Sequence, residues 1–198
     1  MQERSRKEKN ILYIVVPCYN EEQVLAETSK RLKEKCEMLI HDGKIAKESR
    51  IVFVDDGSKD HTWNMIDEFH KMDSIFSGVK LSRNRGHQNA LLAGLTMASE
   101  KADIVISMDA DLQDPPALLP EMYGYIEQGY DSVATRRVDR KGEPPIRSFF
   151  ARRFYGLMRK ISKTEIVDGA RDYRLMTRQV TDAILSMREY NRFSKGIF

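Results

Sequence analysis

The sequence predicts an α/β protein whose mainly parallel sheet is covered by helices on both faces. Apolar runs of three to six residues alternate along the chain with longer segments whose apolar residues recur at helical spacing. Polar clusters follow directly after the first, second and fourth of these runs. Because apolar strands that alternate with helices form parallel sheets buried on both sides, ligands are expected at the carboxyl ends of the strands.

Five strands and four helices are predicted in the order βαβαβαβαβ. The segments that predict the strands are residues 11–16, 51–54, 79–81, 104–108 and 132–135. The spacing of apolar residues predicts helices through residues 24–39, 63–72, 90–98 and 118–126. Pro17 marks the end of the first strand, and Pro115-Pro116 allow the fourth helix to begin.

Length and composition favour a single globular domain over residues 1–198. A chain of 198 residues, 41% of them hydrophobic, is sufficient for one core. Cys18 and Cys36 lack the spacing of a metal finger, so both are predicted to be reduced packing residues. Residues 1–9 lack the apolar stretch of a signal peptide, and the longest apolar run, residues 11–16, is too short to span a bilayer.

Positive charge is concentrated in one segment, although the net charge is only +3. Residues 136–163 contain ten Lys or Arg side chains but two acidic ones, and residues 145–162 have the pattern of a cationic amphipathic helix. Three interpretations compete: a core-facing helix with solvated charges, a helix lying on anionic lipid, and a nucleic-acid patch. The membrane surface is the favoured partner, and no nucleic-acid partner is predicted.

Three polar clusters carry the chemistry. Asp109 and Asp111 follow the fourth strand, and carboxylates at this spacing suit Mg²⁺ or Mn²⁺ held together with substrate phosphates. The cluster after the first strand contains Tyr19, whose ring can stack on a base, and the cluster after the second offers the carboxylates of Asp55 and Asp56 to a base or ribose. Each cluster alone would equally suit a turn or a helix cap, so their joint occurrence carries the argument.

The motifs together resemble those of the inverting glycosyltransferases of family 2, which have the fold called GT-A. The motifs, in order, are Pro17-x-Tyr19-Asn20-Glu21, Val54-Asp55-Asp56-Gly57-Ser58, Ser82-Arg83-Asn84-x-Gly86 and Asp109-Ala110-Asp111-Leu112-Gln113-Asp114-Pro115-Pro116. The last motif and residues 168–176 are similar to polyprenyl-phosphate glycosyltransferases, the group of bactoprenol glucosyltransferases and dolichol-phosphate mannose synthases. Arg85 departs from the pattern, since an aromatic residue is usual there.

This resemblance implies an inverting, metal-dependent transfer from a nucleotide-sugar to a polyprenyl phosphate in cell-envelope glycan modification, with a UDP-sugar favoured over GDP-mannose. The implied nucleotide-sugar-binding residues are Pro17, Tyr19, Glu21, Asp55, Asp56, Arg83 and Asp109. The implied ligands of magnesium or manganese are Asp109, Asp111 and Gln113. The implied catalytic residues are Asp111 and Asp172, and Asp172 would act as a base for a hydroxyl acceptor but mainly as a positioning group for a phosphate acceptor.

The acceptor phosphate is predicted to meet Arg136, Arg147 and, as a weaker candidate, Arg140, because guanidinium groups match phosphate oxygens. Relatives in the subgroup continue into two membrane-spanning helices. We therefore expect a soluble catalytic domain truncated from a longer protein, which would be anchored at the cytoplasmic face of a membrane and could form homo-oligomers.

Other functions remain as alternatives. A saccharide hydroxyl could replace the lipid phosphate as acceptor, and a module that binds nucleotide-sugars without catalysis has the same motifs.

Two other classes of protein do not fit the sequence. A signalling receiver domain is disfavoured because a strand and a helix precede the paired acidic residues at 55–56. A nucleotidyltransferase is disfavoured, because it would require a glycine-rich basic loop after the first strand and the sequence has none there. His87 suits either a phosphate contact or the start of a helix.

Overall fold

The computed structural model describes residues 9–136 and 170–187, which form a six-stranded sheet with the strand order β3-β2-β1-β4-β6-β5. The strands are β1 (Leu12–Cys18), β2 (Arg50–Asp55), β3 (Phe76–Lys80), β4 (Ile104–Ser107), β5 (Ser132–Arg136) and β6 (Ala170–Thr177). The helices are α1 (Leu25–His41), α2 (Thr62–Met72), α3 (His87–Ser99), α4 (Leu119–Glu127) and α5 (Arg178–Ser186). A 3-10 turn, Pro116–Leu118, leads directly into α4.

Strands β1 to β4 are parallel, whereas β6 is antiparallel to both β4 and β5. The prediction of a mainly parallel α/β sheet is therefore confirmed. The five predicted strands are all present, and β3 begins three residues earlier than expected. Strand β6 was missed because its alternation of Tyr173 and Leu175 with polar residues lies inside a segment interpreted only as a motif.

Strand β1 continues through Pro17, where the sequence had placed its end. Odd-numbered residues of β1 direct their backbone polar groups toward β4, since the carbonyls of Ile11 and Val15 accept hydrogen bonds from Ile104 and Met108. The ladder with β4 ends at the pair Val15 and Ser107. The N–H that Pro17 lacks would thus point past the end of that ladder, so the proline costs no sheet hydrogen bond.

Alternating side chains of the central strands supply two hydrophobic cores, one on each face of the sheet. Ile14 and Val16 of β1 pack with α1, α2 and α4, whereas Tyr13 and Val15 pack with α3 and α5. Cys18 and Cys36 are free and buried in the first of these cores, as the sequence predicts for packing residues. Among the helices in the described ranges, none combines the length and apolar character needed to cross a bilayer.

Helix α3 approaches the sheet through Gly94. A Cβ atom at this position would overlap Val15 Cγ1 and would lie 2.9 Å from Val54 Cγ2. Both valines belong to buried central strands that cannot easily move aside. The glycine therefore sets the distance between α3 and the two strands whose ends carry the first two polar clusters.

Gly94→Ala is expected to lower the free energy of unfolding by about 1–3 kcal/mol, because the added methyl overpacks this contact. Gly124→Ala is the matched control: Gly124 lies in α4 with nothing within 4 Å of its would-be Cβ. That control should gain about 0.5–1 kcal/mol from helix propensity. Urea unfolding of both variants measures the difference, and equal effects at the two glycines would contradict the tight packing of α3.

Candidate functional site

A cleft of about 250 Å³ opens at the carboxyl edge of the parallel strands. Loops that follow β1, β2, β3 and β4 all contribute to its wall. Its lining residues are Pro17, Cys18, Tyr19, Glu21, Asp56, Asn84, Gly86, His87, Ala90, Asp109, Ala110 and Asp111. Tyr19, Asp56 and Asp111, one from each of the three predicted polar clusters, therefore share a single cleft.

The loop after β1 is tied to the loop after β2. The Asn20 N–H donates to Ser58 Oγ at 3.0 Å, and Asn20 Oδ1 accepts the Lys59 N–H at 2.9 Å. The Glu21 N–H donates to Thr62 Oγ1 at 2.8 Å. Asn20 has a positive φ of 56°, a left-handed conformation that asparagine tolerates better than most residues. These bonds hold Tyr19 and Glu21 at the mouth of the cleft.

Asp56 connects the loop after β2 to the loop after β3. Its Oδ1 accepts the Arg85 N–H at 2.7 Å, and its Oδ2 accepts the Gly86 N–H at 2.8 Å. The carboxylate is only 3% exposed, so these charge-assisted bonds are shielded from water. Gly57 lets the loops approach, because a Cβ there would lie 2.5 Å from the carbonyl carbon of Arg83.

Asp55 is fully buried and is not among the residues that line the cleft. Its Oδ1 accepts the Ser58 N–H at 3.1 Å. No described residue provides a hydrogen bond to its Oδ2. The two neighbouring carboxylates therefore occupy different environments, since Asp56 lines the cleft and Asp55 is enclosed in the protein.

The loop after β4 presents Asp109 and Asp111 to the cleft. The buried Ala110 between them is anchored by its carbonyl, which accepts the Thr28 hydroxyl of α1 at 2.6 Å. Asp111 Oδ1 accepts the Gln113 N–H at 3.1 Å across Leu112, whose φ is 57°. The Ala110 anchor and this turn fix the loop whose two carboxylates border the cleft.

Negative charge accumulates in the cleft and changes the acidity of its carboxyl groups. Burial raises the pKa of Asp109, and Asp172, Asp111 and Asp114 add to the rise while His87 opposes it. Burial also raises the pKa of Glu21, followed by the charges of Asp111 and Asp109. Carboxylates that are brought together against their mutual repulsion are suitable ligands for a divalent cation, which would neutralise their charge.

The described residues supply only part of a metal site. Within residues 9–136 and 170–187, no group of three or more His, Cys, Asp or Glu side chains could hold a metal ion. Mg²⁺ and Mn²⁺ sites in enzymes often use one or two carboxylates and complete their shell with substrate phosphates and water. Asp109 and Asp111 fit that chemistry, whereas a site made entirely of protein ligands does not.

Asp172 reaches this region from β6, more than sixty residues further along the chain. Its backbone carbonyl accepts the buried Ser107 hydroxyl of β4 at 2.6 Å. His87 Nε2 stands between two carboxylates, 3.7 Å from Asp172 Oδ2 and 3.8 Å from Asp109 Oδ1. The sequence left the role of His87 open between a phosphate contact and a helix start. The structure makes it both the first residue of α3 and part of the cleft wall.

The remaining predicted site residues lie further out. Arg83 and Gln113 are exposed and are not among the residues that line the cleft. Arg136 is exposed at the end of β5. Arg140, Arg147 and the amphipathic segment 145–162 lie outside the described residues.

Residues 13–185 match the family model described as Glycosyl transferase family 2. The uncharacterized glycosyltransferase YkoT of Bacillus subtilis (strain 168) is 41% identical over 192 residues, which are 97% of this chain and 57% of YkoT. The bactoprenol glucosyl transferase of Shigella phage SfV is 37% identical over 184 residues, which are 93% of this chain and 57% of that protein. The chain thus spans just over half the length of these curated relatives.

Solved glycosyltransferases share the fold. The mannosyltransferase PcManGT from Pyrobaculum calidifontis, in complex with GDP-Man and Mn²⁺, superposes with a TM-score of 0.64 at 20% identity over 96% of this chain and 50% of its own. Glucosyl-3-phosphoglycerate synthase from Mycobacterium tuberculosis, with Mn²⁺, UDP-glucose and phosphoglyceric acid, gives 0.56 at 23% identity over 86% of this chain and 58% of its own. The matched family model and these folds show that the chain belongs to glycosyltransferase family 2 and has the GT-A architecture.

Proposed function

We propose that this chain forms the catalytic domain of an enzyme that transfers a sugar from a nucleotide-sugar, preferably a UDP-sugar, to a polyprenyl phosphate. The observation that carries the proposal is the convergence of Tyr19, Asp56 and the pair Asp109 and Asp111 in one cleft at the carboxyl edge of the sheet. Family membership and the relatives named bactoprenol glucosyl transferase support the reaction type and the acceptor.

The donor nucleoside would lie against the loop after β1. The Tyr19 ring is 41% exposed beside Pro17 and Glu21, so it offers a face on which a base can stack. Asp56 also lines the cleft, and each of its oxygens keeps a lone pair beyond the one used by a loop amide. Asp55, fully buried, would support this wall through Ser58, and Arg83 would reach the donor from the rim.

A divalent ion, Mg²⁺ or Mn²⁺, would be held by Asp109 and Asp111 with the diphosphate of the donor, and Gln113 follows as an outer candidate. When bound, it would supply Lewis-acid stabilisation of the charge on the departing nucleoside diphosphate. The raised pKa of Asp109 supports this assignment, because burial and the neighbouring carboxylates outweigh the opposing charge of His87. Bound Mn²⁺ in the solved structures named above is consistent with it.

The acceptor would approach from the side of Asp172 and attack the anomeric carbon opposite the leaving group, which inverts the configuration. A phosphate monoester with a second pKa of roughly 6 is already mostly dianionic at neutral pH, so it requires no strong base. Asp172, held in place by Ser107, would then orient the acceptor. A saccharide hydroxyl acceptor would instead require Asp172 to remove a proton.

The lipid acceptor also accounts for the basic segment. Arg136 at the end of β5 begins the cationic stretch that continues through Arg140 and Arg147. These guanidinium groups would bind the acceptor phosphate, and residues 145–162 would lie on an anionic membrane surface. Full-length proteins of this kind would then act at the cytoplasmic face of a membrane.

Metal-dependent nucleotide binding is the first test. Calorimetry should show that the chain binds UDP or GDP at least about tenfold more tightly with Mn²⁺ than with EDTA, a gain of about 1.4 kcal/mol. Asp111→Asn should remove most of this gain, because one of two candidate metal ligands is lost. Asp182→Asn, an exposed substitution on α5, is the control and should bind like the wild type. Equal binding in Mn²⁺ and EDTA would instead favour a metal-independent binding module.

The charge of the cleft predicts a pH-dependent effect on stability. Asp111→Asn should slightly stabilise the metal-free chain at neutral pH, because the Asp111 charge raises the pKa of Glu21 and Asp109. A carboxyl group with a raised folded pKa destabilises the fold once ionised. That penalty is absent below its ordinary value of about 4 and complete above the raised value.

Urea unfolding between acid and neutral pH measures the difference between Asp111→Asn and wild type. The gain should appear as the pH rises, and Asp182→Asn should show none. Saturating Mn²⁺ should make the wild type more stable than Asp111→Asn, since a ligand stabilises the folded protein that binds it. Destabilisation by Asp111→Asn in metal-free buffer at neutral pH would show that its bond to the Gln113 amide outweighs the repulsion.

Transfer to undecaprenyl phosphate tests the role of Asp172. Asp172→Asn should lower kcat by less than about a hundredfold, because a general base that is essential contributes about 10²–10⁴. The loss should be uniform with pH, since an orienting group does not need to accept a proton. Unchanged activity at every pH would remove Asp172 from the mechanism, and a loss confined to one side of a pH transition would indicate a base.

A further inference from the structure

We propose that His87 is a catalytic residue that donates a hydrogen bond from Nε2 to a phosphate oxygen of the bound substrates. The assignment rests on the proposed function and deepens it, because it names the side chain that meets the charge of the reacting phosphates. Three observations carry it: the charge of the cleft, the position of the ring nitrogen and the anchoring of the residue.

The first observation is the imbalance of charge in the cleft. The acidic lining residues are Glu21, Asp56, Asp109 and Asp111. Of the described residues that line the cleft, His87 alone carries a basic side chain. A nucleoside diphosphate or a lipid phosphate would bring further negative charge into this space. Its oxygens require hydrogen-bond donors, which carboxylates cannot provide at neutral pH.

The second observation is the position of Nε2. It faces Asp109 Oδ1 at 3.8 Å and Asp172 Oδ2 at 3.7 Å. Nε2 is thus the ring nitrogen turned toward both carboxylates, where an N–H group is favoured over a bare lone pair. Both distances exceed hydrogen-bond length, so neither carboxylate accepts this proton. The proton is therefore available to an oxygen that approaches His87 from the cleft.

The third observation is that His87 is fixed to the scaffold. It is the first residue of α3 and follows Gly86, whose φ of 85° turns the chain into the helix. The Gly86 N–H is held by the buried Asp56 carboxylate. The positive end of the α3 dipole adds to the preference for an anion at this point. A donor on such a rigid element is already oriented before the substrate binds.

The phosphate oxygen has two sources, the diphosphate of the donor and the phosphate of the acceptor. Asp109 lies on the side assigned to the donor, and Asp172 lies on the side assigned to the acceptor. His87 is close to both carboxylates. The geometry therefore identifies the chemistry of its partner, an anionic phosphate oxygen, which the donor and the acceptor have in common. Two separate measurements distinguish the sources.

The first measurement is calorimetric binding of UDP, GDP, uridine and guanosine in the presence of Mn²⁺. The second is the kinetics of sugar transfer to undecaprenyl phosphate. If the donor supplies the oxygen, His87→Leu should weaken binding of the diphosphate by about tenfold to a hundredfold, the range for a lost bond to a charged group. The corresponding nucleoside should bind as before. If the acceptor supplies it, diphosphate binding should be unchanged, and kcat/KM for undecaprenyl phosphate should fall by a similar factor.

Two further variants separate contact from structure. His87→Gln keeps an N–H group near the position of Nε2 and should recover part of the lost binding or transfer. His41→Gln is the matched control, since His41 ends α1 with a side chain 90% exposed and lies outside the cleft. It should behave like the wild type.

If His87→Leu and wild type agree in both measurements, His87 does not contact a phosphate. Equal losses for His87→Gln and His87→Leu with a lowered melting temperature would also overturn the assignment, because they indicate a structural role. Failure of the wild type to bind either diphosphate would overturn the proposed function and this assignment together. Normal binding by the wild type with an inert His87 overturns the assignment alone.

Discussion

The candidate site depends on one buried carboxylate, that of Asp56. Both of its oxygens accept backbone amides from the loop after β3, while its own backbone continues the strand that pairs with β1. Three of the four cleft loops are therefore joined through β2 and its extension. A charged group excluded from water makes strong hydrogen bonds and is costly to leave unpaired. Release of the loop after β3 from the Asp56 carboxylate would therefore be unfavourable. The bond from the Gly86 N–H to Asp56 also fixes the backbone next to His87.

The charge of the cleft opposes its stability. Asp109 and Glu21 both have raised pKa values because burial and neighbouring carboxylates disfavour their ionised forms. The rest of the fold compensates with two hydrophobic cores on opposite faces of the sheet and with a glycine contact that brings α3 close to β1 and β2. Such a site gains most from a divalent cation, whose charge offsets that of the carboxylates and stabilises the folded chain that binds it.

Strand β6 places Asp172 beside two residues that line the cleft, His87 and Asp109. It runs antiparallel to β4 and brings Asp172 to the end of that strand, where the Ser107 hydroxyl fixes the backbone of Asp172. The donor side and the acceptor side of the proposed reaction are thereby joined by one pair of strands. The similarity to family 2 glycosyltransferases covers this arrangement, since the matched segment runs from residue 13 to residue 185.

The sequence by itself determined the parallel order of the first four strands, the three polar clusters and the family, because local apolar runs and the motifs that follow them are written in consecutive residues. The different depths of Asp55 and Asp56, the attachment of the loop after β3 to Asp56, and the place of His87 between Asp109 and Asp172 depended on the tertiary structure. The antiparallel pairing of β6 with β4 belongs with them, because the alternation of Tyr173 and Leu175 indicates a strand but not its partner. Such contacts arise from packing and strand register, and no local pattern in the chain encodes them.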